Sequence, residues 1–115
     1  MENDIRALER RLETVKRKLS KIGDLRPGSL SKQYNVCGSP NCKCKADPPK
    51  KHGPYYQLSY TRKGRSRSRF IKKPHITQIR KEVRNYQTFR DLIDQWIDLA
   101  TEISDLSIKL PVESK

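Results

Sequence analysis

The 115-residue chain predicts an α+β fold in which an N-terminal helix and a long C-terminal helix, coiled-coil-like in their spacing, flank a small antiparallel β-sheet. Three observations carry this expectation. Apolar residues recur in alternating steps of three and four near both ends of the chain, the middle changes to two-residue alternation broken by Gly and Pro, and the positive charge is concentrated in that middle stretch. Residues 1–25 are accordingly assigned to a heptad helix, 26–73 to a basic β-hairpin domain and 74–115 to a long helix.

In the first segment Ile5, Leu8, Leu12, Val15, Leu19 and Ile22 form a heptad seam. Asn3 is placed to cap the first turn, Gly23 stands at the expected C′ position and Pro27 bars continuation. A seam this short is marginal as an isolated helix in water, so it must dock on something.

After the turn Arg26-Pro27-Gly28-Ser29, Leu30, Tyr34 and Val36 alternate with Ser31, Gln33 and Asn35, as in a half-buried strand. Two further strands, Tyr55 to Thr61 and Arg65 to Ile71, are separated by Arg62, Lys63 and Gly64, a hairpin signal. A two-residue Lys63-Gly64 loop would put Arg67 and Arg69 on one face with Tyr60 and Leu58. A three-residue loop instead pairs Leu58 with Ser68 and Tyr56 with Phe70, leaving Tyr56, Leu58, Tyr60 and Phe70 inward and Arg65, Arg67 and Arg69 outward. The three-residue register is expected because it separates the faces.

Following Pro74, the positions Ile76, Ile79, Val83, Tyr86, Phe89, Ile93, Trp96, Leu99, Ile103, Leu106 and Leu110 keep the three/four spacing up to Pro111. A helix of about 35 residues would be about 50 Å long at 1.5 Å per residue, more than a compact domain of this size requires. A homodimer through the seams Leu8, Leu12, Val15, Leu19 and Ile93, Trp96, Leu99, Ile103 is therefore expected, with a helical hairpin inside one chain as the alternative. The stretch Asp91 to Asp105 carries five acidic residues and no basic one, and either faces the basic first helix or is a solvated charged face.

Hydrophobic residues make up 33% of the chain and charged residues 34%, while Leu, Ile, Val and Phe number 25 of 115, near the roughly 20% below which a highly charged chain stays disordered. So thin a core calls for another source of stability. Cys37, Cys42, Cys44 and His52 offer one. They form a C-x4-C-x-C-x7-H cluster that holds all three cysteines, and three thiols with an imidazole match the Cys3His donor set of structural zinc. Gly38, Pro40 and Asn41 supply the turn that would bring Cys37 and Cys42 to one ion. Zn2+ bracing of the sheet is the expectation. His75 or another chain could replace His52, and free thiols or a redox pair are the alternatives.

Net charge is +13, and residues 26–75 hold thirteen Lys/Arg against one acidic residue, Asp47. A concentrated positive segment between balanced flanks reads as a footprint for a polyanion. Nucleic acid is the expected partner, with DNA slightly ahead of RNA because a β-ribbon fits a major groove. Arg65, Arg67 and Arg69, with Arg62, Lys63, Lys72 and Lys73, would meet phosphates, and Tyr55 could stack on an unpaired base. No apolar run is long enough to span a membrane and the N-terminus lacks a signal-peptide layout, so a cytoplasmic protein without membrane contact is expected. With Asp47 as the lone carboxylate between Arg26 and His75, no acid/base dyad or acidic metal cluster can be assembled there, and no enzyme is expected. The competing reading is a coiled-coil adaptor that binds another protein.

The run Arg26-Pro27-Gly28-Ser29-Leu30-Ser31, followed by Tyr34, Cys37-Gly38, Pro40, Cys42, Cys44, His52-Gly53-Pro54-Tyr55-Tyr56-Gln57-Leu58-Ser59-Tyr60 and Gly64, resembles a family of short basic bacterial and archaeal proteins built on a domain of unknown function, over roughly residues 25 to 105. Membership would imply DNA-linked biology, since such proteins are commonly encoded near mobile elements. The resemblance brings no catalytic residues with it.

Overall fold

The computed structural model describes residues 2–35 and 52–111. In chain order these form helix α1 (Glu2–Ser20), strands β1 (Ser29–Asn35), β2 (His52–Arg62) and β3 (Arg65–Ile71), a 3-10 turn over Lys73–His75, and helix α2 (Ile76–Ser107). The chain divides into two compact units, one made of Met1–Asp24 with Asn85–Lys115 and the other of Leu25–Arg84, so that α2 contributes to both.

In the first unit α1 and the later part of α2 run antiparallel. Asn85 Nδ2 donates to the Asp24 carbonyl at 2.8 Å, and the Lys16 ammonium lies 5.1 Å from the centroid of the Trp96 ring. Leu8, Val15, Leu92 and Leu99 form the buried core, with Leu12, Leu19, Ile22, Trp96, Ile103 and Leu106 packed around it. The seams read as a homodimer interface thus close on each other within one chain. This is the packing of the helical-hairpin alternative. Leu92 is buried while Ile93 is half-buried, a small rotation of the seam relative to the expected one.

The second unit is a three-stranded antiparallel sheet in the order β1-β2-β3, packed on one face against the first turns of α2. Its centre is Leu58, fully buried on the middle strand against Ile79 and Val83, with Leu30, Tyr60 and Ile71 around them. The chain enters β1 through Gly28 at φ +141°, where a Cβ would lie 2.8 Å from Leu58 Cδ1. Only glycine both adopts that backbone and lets Leu58 come so close.

The hairpin register differs from the expected one. Lys63 (φ 53°) and Gly64 (φ 73°) form a two-residue turn, and the pairs are Arg62 with Arg65, Tyr60 with Arg67, Leu58 with Arg69, Gln57 with Phe70 and Tyr56 with Ile71. Two consecutive residues at positive φ make a type I′ turn, whose twist matches that of the strands it joins. Turn geometry therefore prevails over clean separation of the faces. Mixing arginine into the Leu58 face is tolerated because β3 is an edge strand and Arg65, Arg67 and Arg69 are all solvent-exposed. Ile71 takes the inward place expected of Phe70, which is 61% exposed on the opposite face.

Candidate nucleic-acid interface

Antiparallel partners point to the same side of a sheet, so the register assigns the paired strand residues to its two faces. Leu30, Tyr56, Leu58, Tyr60, Ile71 and the row Arg65, Arg67, Arg69 share the side on which α2 packs. Among the described residues the other side carries no charged side chain. It presents Ser29, Ser31 and Gln33 from β1, Tyr55, Gln57, Ser59 and Thr61 from β2, and Ser66, Ser68 and Phe70 from β3.

Among the described residues, cations border this uncharged face without lying on it. Arg62 ends β2, Lys63 forms the turn, and Arg65, Arg67 and Arg69 follow along the β3 edge, spaced about 6.7 Å apart as alternate strand residues. At the far end of β3, Lys72 and Lys73 follow the strand directly. On the helix side two arginines lie over tyrosine rings, Arg26 at 5.5 Å from the Tyr60 centroid and Arg80 at 5.9 Å from that of Tyr56. These contacts turn part of the positive charge toward aromatic faces at a favourable distance.

Two open clefts adjoin β3. One, of about 410 Å³, is lined by Gly53, Pro54, Tyr55, Tyr56, Phe70 and Ile71 together with Lys72, Lys73 and Ile76. The other, of about 390 Å³, brings Arg26, Arg69, Lys72 and His75 around Gln78 and Ile79. Tyr55 and Phe70 meet edge to face, with centroids 6.4 Å apart and planes at 69°. Beside them the amides are ordered across strands. Gln33 Nε2 donates to Gln57 Oε1, Ser31 Oγ donates to the Gln57 carbonyl at 3.3 Å, and the Thr61 and Ser66 hydroxyls are 2.9 Å apart.

Of the interface residues expected from sequence, Tyr55, Lys72 and Lys73 come together at one cleft, Arg69 joins Lys72 at the other, and Arg62, Lys63, Arg65 and Arg67 lie toward the hairpin tip. Phe70, Arg26, Gln33 and Gln57 were not among them. The Lys63-Gly64 dipeptide carried the signal for Phe70, since a two-residue turn alone sets that ring outward. Cys37, Cys42 and Cys44 lie outside the described residues. His52 opens β2 and pairs with Asn35 at the end of β1, so the cysteine-bearing segment starts and ends on neighbouring strand positions. Among the described residues no group of three or more His, Cys, Asp or Glu could hold a metal ion, and no helix is long and apolar enough to cross a membrane.

No curated protein and no solved structure gives a significant match to the chain. A family model does match, over residues 5–81, a span that takes in α1, the whole sheet and the first turns of α2. That span begins earlier and ends earlier than the stretch suggested by the motif residues, and it covers more than half of the sequence. The chain belongs to the family defined by this domain of unknown function, DUF6788.

Proposed function

We propose that this protein is a nucleic-acid-binding module and that the unit Leu25–Arg84 makes the contacts. The observation that carries the reading is charge segregation between units of one small chain. Leu25–Arg84 holds sixteen Lys/Arg and two Asp/Glu, whereas the other unit holds ten and eleven. So strong a like-charge concentration disfavours a compact state, and it is understandable where a polyanion neutralises it. The exposed row Arg65, Arg67, Arg69 matches the repetitive phosphates of a strand better than one small anion.

In this reading Cys37, Cys42, Cys44 and His52 hold a Zn2+ ion that braces the sheet. The pairing of Asn35 with His52 supports it, because it brings together the residues that flank the cysteine-bearing segment. The zinc is structural and takes no part in any reaction.

The intact protein is expected to bind two unrelated oligonucleotides of equal length with similar affinity, falling steeply between 50 and 200 mM salt as counterion release requires. Fluorescence anisotropy measures this. An adaptor would give little binding at either salt. That second reading has its own support in Ile97 and Ile108, which are 56% and 78% exposed on the acidic unit and could seat a protein partner.

A further inference from the structure

Phe70 and Tyr55 are exposed aromatic rings at one end of a sheet face whose other described residues are polar and uncharged. The Lys63-Gly64 turn fixes the register that packs Ile71 inward and sets Phe70 outward. Phe70 stands beside a cleft whose charged lining residues, among those described, are Lys72 and Lys73. The cleft's volume of about 410 Å³ lies within the roughly 300–1,000 Å³ range of small-ligand sites. Aromatic rings, flanking cations and hydrogen-bonding amides are the elements a protein uses to take hold of an unpaired nucleotide.

We propose that the Tyr55–Phe70 face of the β1–β2–β3 sheet binds a single strand of nucleic acid, stacking an unpaired base on Phe70 and Tyr55 while Lys72 and Lys73 meet its phosphates. This rests on the nucleic-acid reading above and adds to it the form of the ligand. A duplex cannot use the site in this way, because paired bases hide their faces in the stack and leave nothing for the rings to cover. The Gln33–Gln57 hydrogen bond fixes both amides, and among the described residues it leaves Gln57 Nε2 to donate and Gln33 Oε1 to accept. Those are the complementary groups that a base edge requires. Charge complementarity identifies the occupant as a polyanion, since the face lies on the unit holding sixteen Lys/Arg. The rings identify it as one with exposed bases.

The test compares the intact protein with Phe70→Leu, which keeps an apolar side chain and removes the π-face. The probes are a mixed-sequence single-stranded oligonucleotide, its duplex, and polyglutamate standing for an acidic protein. Wild type should prefer the single strand. Phe70→Leu should lose about 5- to 150-fold in single-strand affinity, the range expected for one aromatic–base stack. Its salt slope, and its weak duplex and polyglutamate binding, should not change. A single strand carrying 5-iodouracil should cross-link to Phe70 or Tyr55 of the wild-type protein, a result that does not depend on how well any variant folds. Duplex binding equal to or tighter than single-strand binding, an unchanged Phe70→Leu affinity, or cross-links confined to other residues would overturn the proposal and leave the broader reading in place. If Phe70→Leu weakens polyglutamate as much as oligonucleotide, the face docks a protein and the proposal is likewise wrong. Failure of wild type to bind any oligonucleotide would remove both.

Discussion

Replacing Arg65, Arg67 and Arg69 together by Thr is expected to weaken oligonucleotide binding almost equally on unrelated sequences and to flatten its salt dependence. Each phosphate neutralised contributes about 0.7 to the slope of log affinity against log salt on a single strand and about 0.9 on B-DNA, so losing three contacts lowers the slope by about 2.1 or about 2.7. Near 0.15 M salt those slopes correspond to losses on the order of 50-fold on a single strand and somewhat above 100-fold on duplex. The fold should survive. All three side chains are exposed on an edge strand, threonine suits a strand, and Arg65 faces Arg62 directly, a like-charge pair whose removal relieves repulsion. Circular dichroism would verify the fold, and titrations at several salt concentrations would give the slope. A folded triple variant with unchanged affinity and slope would mean that the arginines merely solubilise the β3 edge.

Stripping the metal is expected to have a larger effect on stability. A structural zinc site contributes on the order of 10 kcal/mol or more to folding. Among the described residues the unit it would brace has a small core, centred on Leu58, Ile79 and Val83, in a unit that holds sixteen Lys/Arg. Freshly purified protein should contain one zinc per chain. Strong chelators or acid, which protonates the thiolates, should release it and loosen β1, β2 and β3 while α1 and α2 keep much of their helical signal through the Leu8–Val15–Leu92–Leu99 core. Cys42→Ser should behave like chelation. If His52→Ala retains metal at full affinity, the fourth donor is water, His75 or another chain. Metal analysis showing no zinc, or strands equally protected with and without chelator, would contradict the assignment.

The elements whose signal is local were legible in the sequence. The heptad seam and its bounding Gly23 and Pro27 located α1, although the helix ends at Ser20 and the chain reaches Gly23 through a non-helical turn. Pro74 marked the start of α2, and β3 runs over Arg65–Ile71 as the alternation implied. What one chain does with two complementary seams was not legible, because a seam's spacing is the same whether its partner is intramolecular or a second copy. The hairpin register departs from the expected one for a specific reason. Separation of polar from apolar faces decides register where a strand is buried, but β3 is an edge whose arginines reach solvent from either face. The turn decided it instead, with Lys63 accepting a positive φ that its residue type does not advertise. That one-residue difference moved Phe70 from expected core to exposed surface. It therefore separates a site built on an arginine row alone from one that also carries a stacking ring.

Hydrogen–deuterium exchange of the intact protein with and without a saturating single-stranded oligonucleotide tests the central claim most directly, because it reports where the ligand sits without altering a residue. Added protection is expected in peptides from residues 55–73, which carry the rings of Tyr55 and Phe70, the arginine row and Lys72 and Lys73, with α1 and the Asp91–Asp105 stretch of α2 unchanged. Protection confined to those helices, or none at saturation, would contradict the account.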